Sequence, residues 1–120
     1  MKTPRLLAVA SLAASCLLIV AGPAQAQSCQ PIQFERGTYS GTVSGTAPPE
    51  DVVCYEVSTG AAQRAEVSVK GRNVIFSIVG VVDAQDRYSF TTEKKTYRIF
   101  VSQLMRSVTD EPFSLTVSVR

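Results

Sequence analysis

The chain has no histidine, and this absence removes several kinds of active site. Histidine is the usual general base near neutral pH, the commonest metal ligand and the proton carrier of Ser-His and Cys-His catalytic arrangements. The remaining catalytic candidates are three acidic pairs in predicted loops: Glu50-Asp51, Asp83 with Asp86, and Asp110-Glu111. Acidic residues are common in solvated turns, so a carboxylate enzyme is the weakest functional hypothesis. The sequence predicts a protein that is not an enzyme and that holds no metal ion and no cofactor.

A long apolar run is also missing, because the only candidate, Leu6 to Ala21, is shorter than the roughly 20 residues of a membrane-spanning helix. Lys2 and Arg5 precede this run, and Ala24-Gln25-Ala26 follows it with the small-x-small pattern that a signal peptidase cleaves. Residues 1–26 are therefore predicted to be a signal peptide that directs the protein to the periplasm or outside the cell.

Two alternatives to cleavage after Ala26 stay open. The apolar run could be retained as a membrane anchor, although Gly22-Pro23 ends it early. Cys16 could carry a lipid, although the leucine that usually stands three positions before a lipoprotein cysteine is absent. The main prediction is a single domain of residues 27–120 with no membrane segment after cleavage.

The predicted mature chain has no excess of either charge. The whole chain has twelve Lys and Arg against ten Asp and Glu, and removing Lys2 and Arg5 leaves ten of each sign. Proteins that bind nucleic acids or anionic membranes use a basic field for much of their affinity. The balance therefore argues against nucleic acid as a partner.

Cysteines are few, and export would leave only Cys29 and Cys54. Disulfides persist outside the cytoplasm, so the two are predicted to pair. Their spacing is much wider than the C-x-x-C spacing of redox-active pairs, which indicates a structural bridge.

Helical periodicity is absent from residue 31 onward, where apolar and polar residues alternate in short runs separated by turn residues. The sequence predicts an all-β domain, an antiparallel two-sheet β-sandwich of about eight short strands with one disulfide. The predicted strands are 32–34, 38–44, 51–59, 64–70, 74–79, 88–92, 96–103 and 113–120, with residues 80–85 as a loop. The aromatic residues in phase with the apolar set are predicted to fill the core: Tyr39, Tyr55, Phe76 and Tyr97.

Several segments of this pattern are similar to known motifs. The first half contains Ile32-Gln33-Phe34-Glu35-Arg36-Gly37, Ser40-Gly41 with Gly45, and Tyr55 to Gly60 with Gln63 and Val67. The second half contains Tyr97-Arg98-Ile99-Phe100-Val101, Leu104-Met105-Arg106 and Phe113-Ser114-Leu115-Thr116-Val117. Together they resemble the periplasmic inhibitors of g-type and i-type lysozymes, over most of residues 32–120. The same ground plan occurs in pre-peptidase C-terminal domains, which are also β-sandwiches.

The resemblance implies an exported inhibitor that occludes the active-site cleft of a lysozyme or a related peptidoglycan hydrolase. Arg106 is the first candidate for the contact with that partner, followed by Lys94, Lys95 and Tyr97. The chain departs from the family at Lys94-Lys95-Thr96, where the family has a Ser-Gly turn, and in the shorter, more acidic loop after Arg106. The alternative is a non-catalytic binding module of the cell envelope, with Arg106 as a solvated loop residue. The oligomeric state is left open.

Overall fold

Alternating apolar and polar residues form nine β-strands in the part of the protein that the structure describes, residues 28–120 of a computed structural model. The strands are β1 (Gln30–Pro31), β2 (Ser40–Ala47), β3 (Val53–Thr59), β4 (Arg64–Gly71), β5 (Val74–Ile78), β6 (Val82–Gln85), β7 (Arg87–Thr91), β8 (Lys95–Gln103) and β9 (Glu111–Val119). The predicted signal peptide, its cleavage site and Cys16 lie outside the described residues. Residues 28–120 include no helix that is long and apolar enough to cross a membrane.

Two sheets pack face to face. The first has the strand order β1-β3-β8-β5-β6 and the second has the order β2-β9-β4-β7. All neighbouring strands are antiparallel except β1 and β3, which run parallel. The predicted all-β, two-sheet sandwich is confirmed, and the parallel pair is the exception to its antiparallel pairing.

The core lies between the sheets and takes side chains from both. Its largest fully buried side chains are those of Phe76, Ile78, Ile99, Leu115, Val67, Val101 and Val117. Full burial of one such side chain contributes about 1.5–3 kcal/mol, so the inward faces of the central strands supply most of the favourable burial energy.

The predicted disulfide is present. Cys29 and Cys54 are bonded, with their Cα atoms 4.6 Å apart. Cys54 is the second residue of β3, and Gln30 lies opposite Tyr55 in the parallel pair. The bridge therefore ties the two-residue edge strand β1 to its neighbour β3.

Three expectations about individual strands and residues need correction. The first strand is β1, at residues 30–31 rather than 32–34, and Ile32 extends its pairing by donating its N–H to Glu56 O at 2.9 Å. The predicted loop at residues 80–85 contains β6, which brings the described chain to nine strands where about eight were predicted. Alternation fails there because β6 pairs with β5 through a register shift and Ala84 has a positive φ of 49°. Tyr39 is 63% exposed, because it precedes β2 rather than lying within it.

Tyr55 crosses the core from β3 towards β2. A Cβ added at Gly45 would lie 2.8 Å from the Tyr55 hydroxyl and 2.8 Å from Phe113 Cζ, so this position of β2 accepts only glycine without rearrangement. The Tyr55 and Phe113 rings meet edge to face at 6.2 Å. Among residues 28–120 the buried Tyr55 hydroxyl has no hydrogen-bond partner, and burial raises its pKa above the ordinary 10.0.

Replacing Tyr55 with phenylalanine should leave the free energy of unfolding at neutral pH unchanged or raise it by up to about 1 kcal/mol, because a buried hydroxyl without a partner contributes no stability. Above pH 10 the unfolded chain loses this proton while the folded protein keeps it, so wild-type stability should fall as pH rises towards the folded-state pKa. Urea unfolding of both proteins at neutral pH and near pH 11 measures this, and Tyr55→Phe should show the smaller fall. Loss of more than about 1 kcal/mol at neutral pH would mean that the hydroxyl is hydrogen bonded.

Candidate partner-binding surface

Three connections meet at one end of the sandwich, where β8 ends and β9 begins. They are loop 104–110 between β8 and β9, the β4–β5 turn at Arg72-Asn73, and segment 48–52 between β2 and β3. Loop 104–110 carries Arg106, the first candidate for partner contact. We call these three connections together the loop end.

Asn73 fixes the start of loop 104–110. Its φ is 60°, a left-handed conformation that asparagine adopts more readily than most residues. The side chain makes a two-way contact with Met105, donating Nδ2–H to Met105 O and accepting from Met105 N at Oδ1, both at 2.8 Å. The Asn73 carbonyl also accepts the N–H of Leu104 at 2.9 Å. The backbone just before Arg106 is thus held by the β4–β5 turn.

Gln103, the last residue of β8, organises the loop from inside. Its Nε2 donates to Thr109 O at 2.8 Å and to Ala47 O at 2.9 Å, which joins the loop to the end of β2. Its Oε1 accepts from the Ser107 hydroxyl at 2.6 Å and from Asn73 Nδ2 at 3.3 Å. One side-chain amide therefore satisfies four contacts, and the loop is fixed near both of its ends.

The side chains that this framework displays are exposed and mostly apolar. Leu104, Met105 and Val108 are 62%, 69% and 94% exposed. Arg106 is also exposed, and within residues 28–120 its guanidinium has no hydrogen bond or ion pair. A cation and three large apolar groups on an ordered loop are typical of a surface that contacts another molecule.

An open depression of about 420 Å³ lies beside the loop. It is lined by Pro48, Pro49, Glu50, Asp51, Ser107 and Val108. Arg106 is the only cation of loop 104–110 and segment 48–52, which also hold Glu50, Asp51 and Asp110. Loop 104–110 and segment 48–52 therefore present one cation in acidic surroundings, and the β4–β5 turn adds a second exposed cation, Arg72.

Lys94 and Lys95 lie at the opposite end of β8 from Arg106. Nine residues of extended chain span about 30 Å, so one small cleft could not receive both groups. Lys95 Nζ stands 4.9 Å from the centre of the Tyr97 ring. Both lysines are exposed at this end, and their role in partner binding stays a prediction.

Tyr97 belongs to the core rather than to the surface. It is 3% exposed, its ring meets Phe90 edge to face at 5.1 Å, and its hydroxyl accepts the N–H of Glu93 at 2.9 Å. A buried ring offers no area to a partner, so Tyr97 stabilises the β7–β8 connection and is not among the contact residues proposed below.

Asn73 and Gln103 were not among the residues singled out from the sequence, although both are central to the loop end. The signal for Asn73 was its place in the three-residue connection between the predicted strands 64–70 and 74–79, where asparagine tolerates a positive φ. The signal for Gln103 was a polar residue at the end of a predicted strand in which apolar residues alternate with other residues. Neither signal shows which loop a side chain will hold, because that depends on the pairing of β5 with β8.

Replacing Asn73 with glycine should loosen loop 104–110 without straining the turn, since glycine accepts a positive φ. Loss of the side-chain bonds to Met105 should lower the free energy of unfolding by about 1–3 kcal/mol and speed trypsin cleavage after Arg106. Arg72→Ala in the same turn is the matched control, because Arg72 is exposed and has no side-chain hydrogen bond within residues 28–120. Equal cleavage rates for both variants would contradict the role assigned to Asn73.

Residues 28–120 contain no group of three or more Cys, Asp or Glu placed to hold a metal ion. A scan against protein-family models finds no match, and neither does a search of curated proteins.

Solved structures do match this fold. The Aeromonas hydrophila PliG structure, described as a periplasmic lysozyme inhibitor of g-type lysozyme, aligns with a TM-score of 0.67 and 24% identity over 78% of this chain and 96% of that one. Salmonella Typhimurium PliG aligns with a TM-score of 0.62 and 17% identity, over 75% and 96% of the two chains. A mutant of Escherichia coli PliG aligns with a TM-score of 0.61 and 18% identity, with the same coverage. The chain has the β-sandwich fold of these PliG structures.

Proposed function

We propose that this protein is an exported, non-catalytic inhibitor of a g-type lysozyme or a related peptidoglycan hydrolase, and that loop 104–110 enters the active-site cleft of that enzyme. The observation that carries the proposal is the exposed Arg106, without an ionic partner in residues 28–120, on a loop that Asn73 and Gln103 hold in place. The fold shared with PliG inhibitors of g-type lysozyme supports the same function.

The proposed contact follows from the chemistry of glycoside hydrolysis. Such enzymes commonly carry acidic residues at the site of bond cleavage, and a guanidinium can hydrogen bond a carboxylate with two parallel N–H groups. Inside a cleft the contact would be shielded from water and salt, which strengthens it relative to an exposed ion pair. Because the loop is already ordered, little conformational entropy would be lost on binding.

The neighbouring side chains suit the walls of such a cleft. Leu104, Met105 and Val108 offer apolar area around Arg106, while Glu50 and Asp110 are exposed acids of the same loop end. Apolar groups around a central charged contact exclude water from it. The acids would favour an enzyme with cationic groups near its cleft, so association should slow as salt concentration rises.

A turbidity assay tests the function. Purified protein is added at micromolar concentration to c-type, g-type and i-type lysozymes that are clearing a suspension of cell walls. We expect inhibition of the g-type enzyme, with a dose response that saturates near one inhibitor per enzyme. No inhibition of any of the three enzymes would overturn the proposal.

Export is tested separately. The protein recovered from the periplasm of an expressing cell should begin at Gln27 when its amino terminus is sequenced. An unprocessed amino terminus would support the retained anchor, and a lipid on Cys16 would support the lipoprotein.

A further inference from the structure

One long sheet edge lacks the usual protection against pairing with another chain. The four edge strands of the described residues are β1, β2, β6 and β7. Three of them are short: β1 has 2 residues, β6 has 4 and β7 has 5. The fourth, β2, has 8 residues with the sequence SGTVSGTA, which contains no charge and no proline. Edge strands are normally kept from pairing by short length, charge, proline, a bulge or a covering loop. β2 has none of the first four, and segment 33–38 lies beside its first three residues, Ser40, Gly41 and Thr42.

The hydrogen bond between Tyr39 and Val119 fixes the direction of the backbone groups of β2. Val119 donates its N–H to Tyr39 O at 2.8 Å, so alternate residues from position 39 onward face β9. The residues between them direct their N–H and C=O groups away from the sheet: Ser40, Thr42, Ser44 and Thr46. These residues form a row of outward-facing backbone groups along the edge of the sandwich.

From this row we propose that β2 pairs antiparallel with β2 of a second copy of the chain, with Val43 on the two-fold axis. Thr42 then lies opposite the partner's Ser44, and Ser40 opposite the partner's Thr46. All four outward-facing residues exchange their N–H and C=O groups with the other copy, and the Ser40 carbonyl, which already accepts from Thr38 Oγ1 at 3.5 Å, uses its second lone pair. The two four-stranded sheets join into one continuous sheet.

The sequence of β2 suits this register because it is nearly the same in both directions about Val43. Gly41 meets the partner's Gly45 on the inner face, and the two Val43 side chains meet each other. The outer face pairs hydroxyl residues, and such Thr and Ser pairs stabilise neighbouring strands. Thr42 already makes a contact of this kind with Thr116 at 3.0 Å inside one copy. No like charges oppose each other across the axis.

A second copy fits this edge better than an unrelated peptide does. An isologous contact requires a surface that is complementary to itself, and this register meets that requirement at every position from 40 to 46. The contact consists mainly of one strand pair, so it is small and we expect dissociation in the micromolar to millimolar range. Antiparallel pairing directs the two copies of loop 104–110 towards opposite ends of the dimer.

Sedimentation velocity of the purified protein over this concentration range measures the association. We expect a reversible monomer–dimer equilibrium that Ser44→Pro abolishes. The N–H of Ser44 faces outward, so proline removes an intermolecular bond and leaves the β2–β9 bonds intact. Ser44→Ala keeps the N–H and should still dimerise. Circular dichroism and thermal melting confirm that both variants are folded.

Disulfide trapping tests the register. In the proposed pairing the two Val43 residues form a non-hydrogen-bonded pair with Cα atoms about 4.5 Å apart, which a disulfide can span. Val43→Cys should therefore form a covalent dimer at least tenfold faster than Thr46→Cys, whose two copies lie about 20 Å apart. A wild-type chain that stays monomeric at millimolar concentration, or equal trapping of the two variants, would overturn the proposal.

Discussion

Replacing Arg106 with alanine should weaken inhibition of the target lysozyme by at least tenfold while leaving the fold intact. Removing one partner of a buried charged contact typically costs about 2–5 kcal/mol, because the opposing carboxylate is left without its counter-ion. In the unbound protein Arg106 is exposed and makes no bond with residues 28–120 that its loss would break. The inhibition constant from turbidity assays and the melting temperature, measured on the same samples, separate the two effects.

Two further variants sharpen this result. Arg106→Lys keeps the charge but loses the two-pronged donor geometry, so it should fall between wild type and Arg106→Ala. Lys94→Ala removes an exposed cation at the other end of β8 and should leave inhibition unchanged if loop 104–110 makes the contact. The reverse pattern, with Lys94→Ala inactive and Arg106→Ala fully active, would move the contact surface to the β7–β8 connection.

Removing the disulfide should cause the largest loss of stability among the changes considered. Replacing Cys29 and Cys54 together with alanine frees the unfolded chain from a closed loop, and the chain-entropy estimate for this spacing is about 3.5 kcal/mol. Domains of this size commonly have about 5–15 kcal/mol in total. Urea unfolding monitored by circular dichroism gives the difference directly.

The wild-type protein under reducing conditions is the control for this experiment. Reduction opens the same loop without changing the volume of the buried Cys54 side chain, so it should lower the unfolding free energy by a similar amount. A fall of less than about 1 kcal/mol in both cases would mean that the unfolded chain is already restricted in this region.

Strands with one buried and one solvated face could be predicted from the sequence. Along β4 and β9 the burial alternates almost residue by residue, and both strands were predicted close to their observed limits. Strands whose local order depends on distant contacts could not be predicted in this way. Ile32 is held by a hydrogen bond to Glu56 across a parallel pair, and β6 depends on β5 for its pairing. No short sequence pattern encodes either partner.

The sequence motif in β2 includes two glycines, but the motif alone does not explain why glycine is needed at these positions. The S-G-x-V-x-G pattern of residues 40–45 is part of the resemblance to the lysozyme inhibitors, and the structure supplies the reason for each glycine. A Cβ at Gly41 would lie 2.9 Å from the Phe34 ring, and one at Gly45 would strike Tyr55 and Phe113. The aromatic residues come from three other segments of the chain, so only the fold shows why the glycines are needed.

The candidate contact residues could be named from the sequence but not grouped. Lys94, Lys95 and Arg106 are close along the chain, yet β8 separates the lysines from the arginine. Tyr97 was predicted both as a core residue and as a contact residue, and its 3% exposure confirms the core position. An extended strand separates residues that are close in sequence, so the lysines and Arg106 lie on two separate surfaces.

Different residues hold loop 104–110 in place and form its exposed surface, and this separation affects how the sequence of such a protein can change. Asn73, Gln103 and Ser107 hold the loop, whereas Leu104, Met105, Arg106 and Val108 display their side chains to solvent. Substitutions at the displayed positions change what the loop can recognise at little cost to folding, since surface replacements outside special contacts usually alter stability by less than about 0.5 kcal/mol. The same four positions form a natural set for randomised libraries, through which this scaffold could be retargeted to other enzymes.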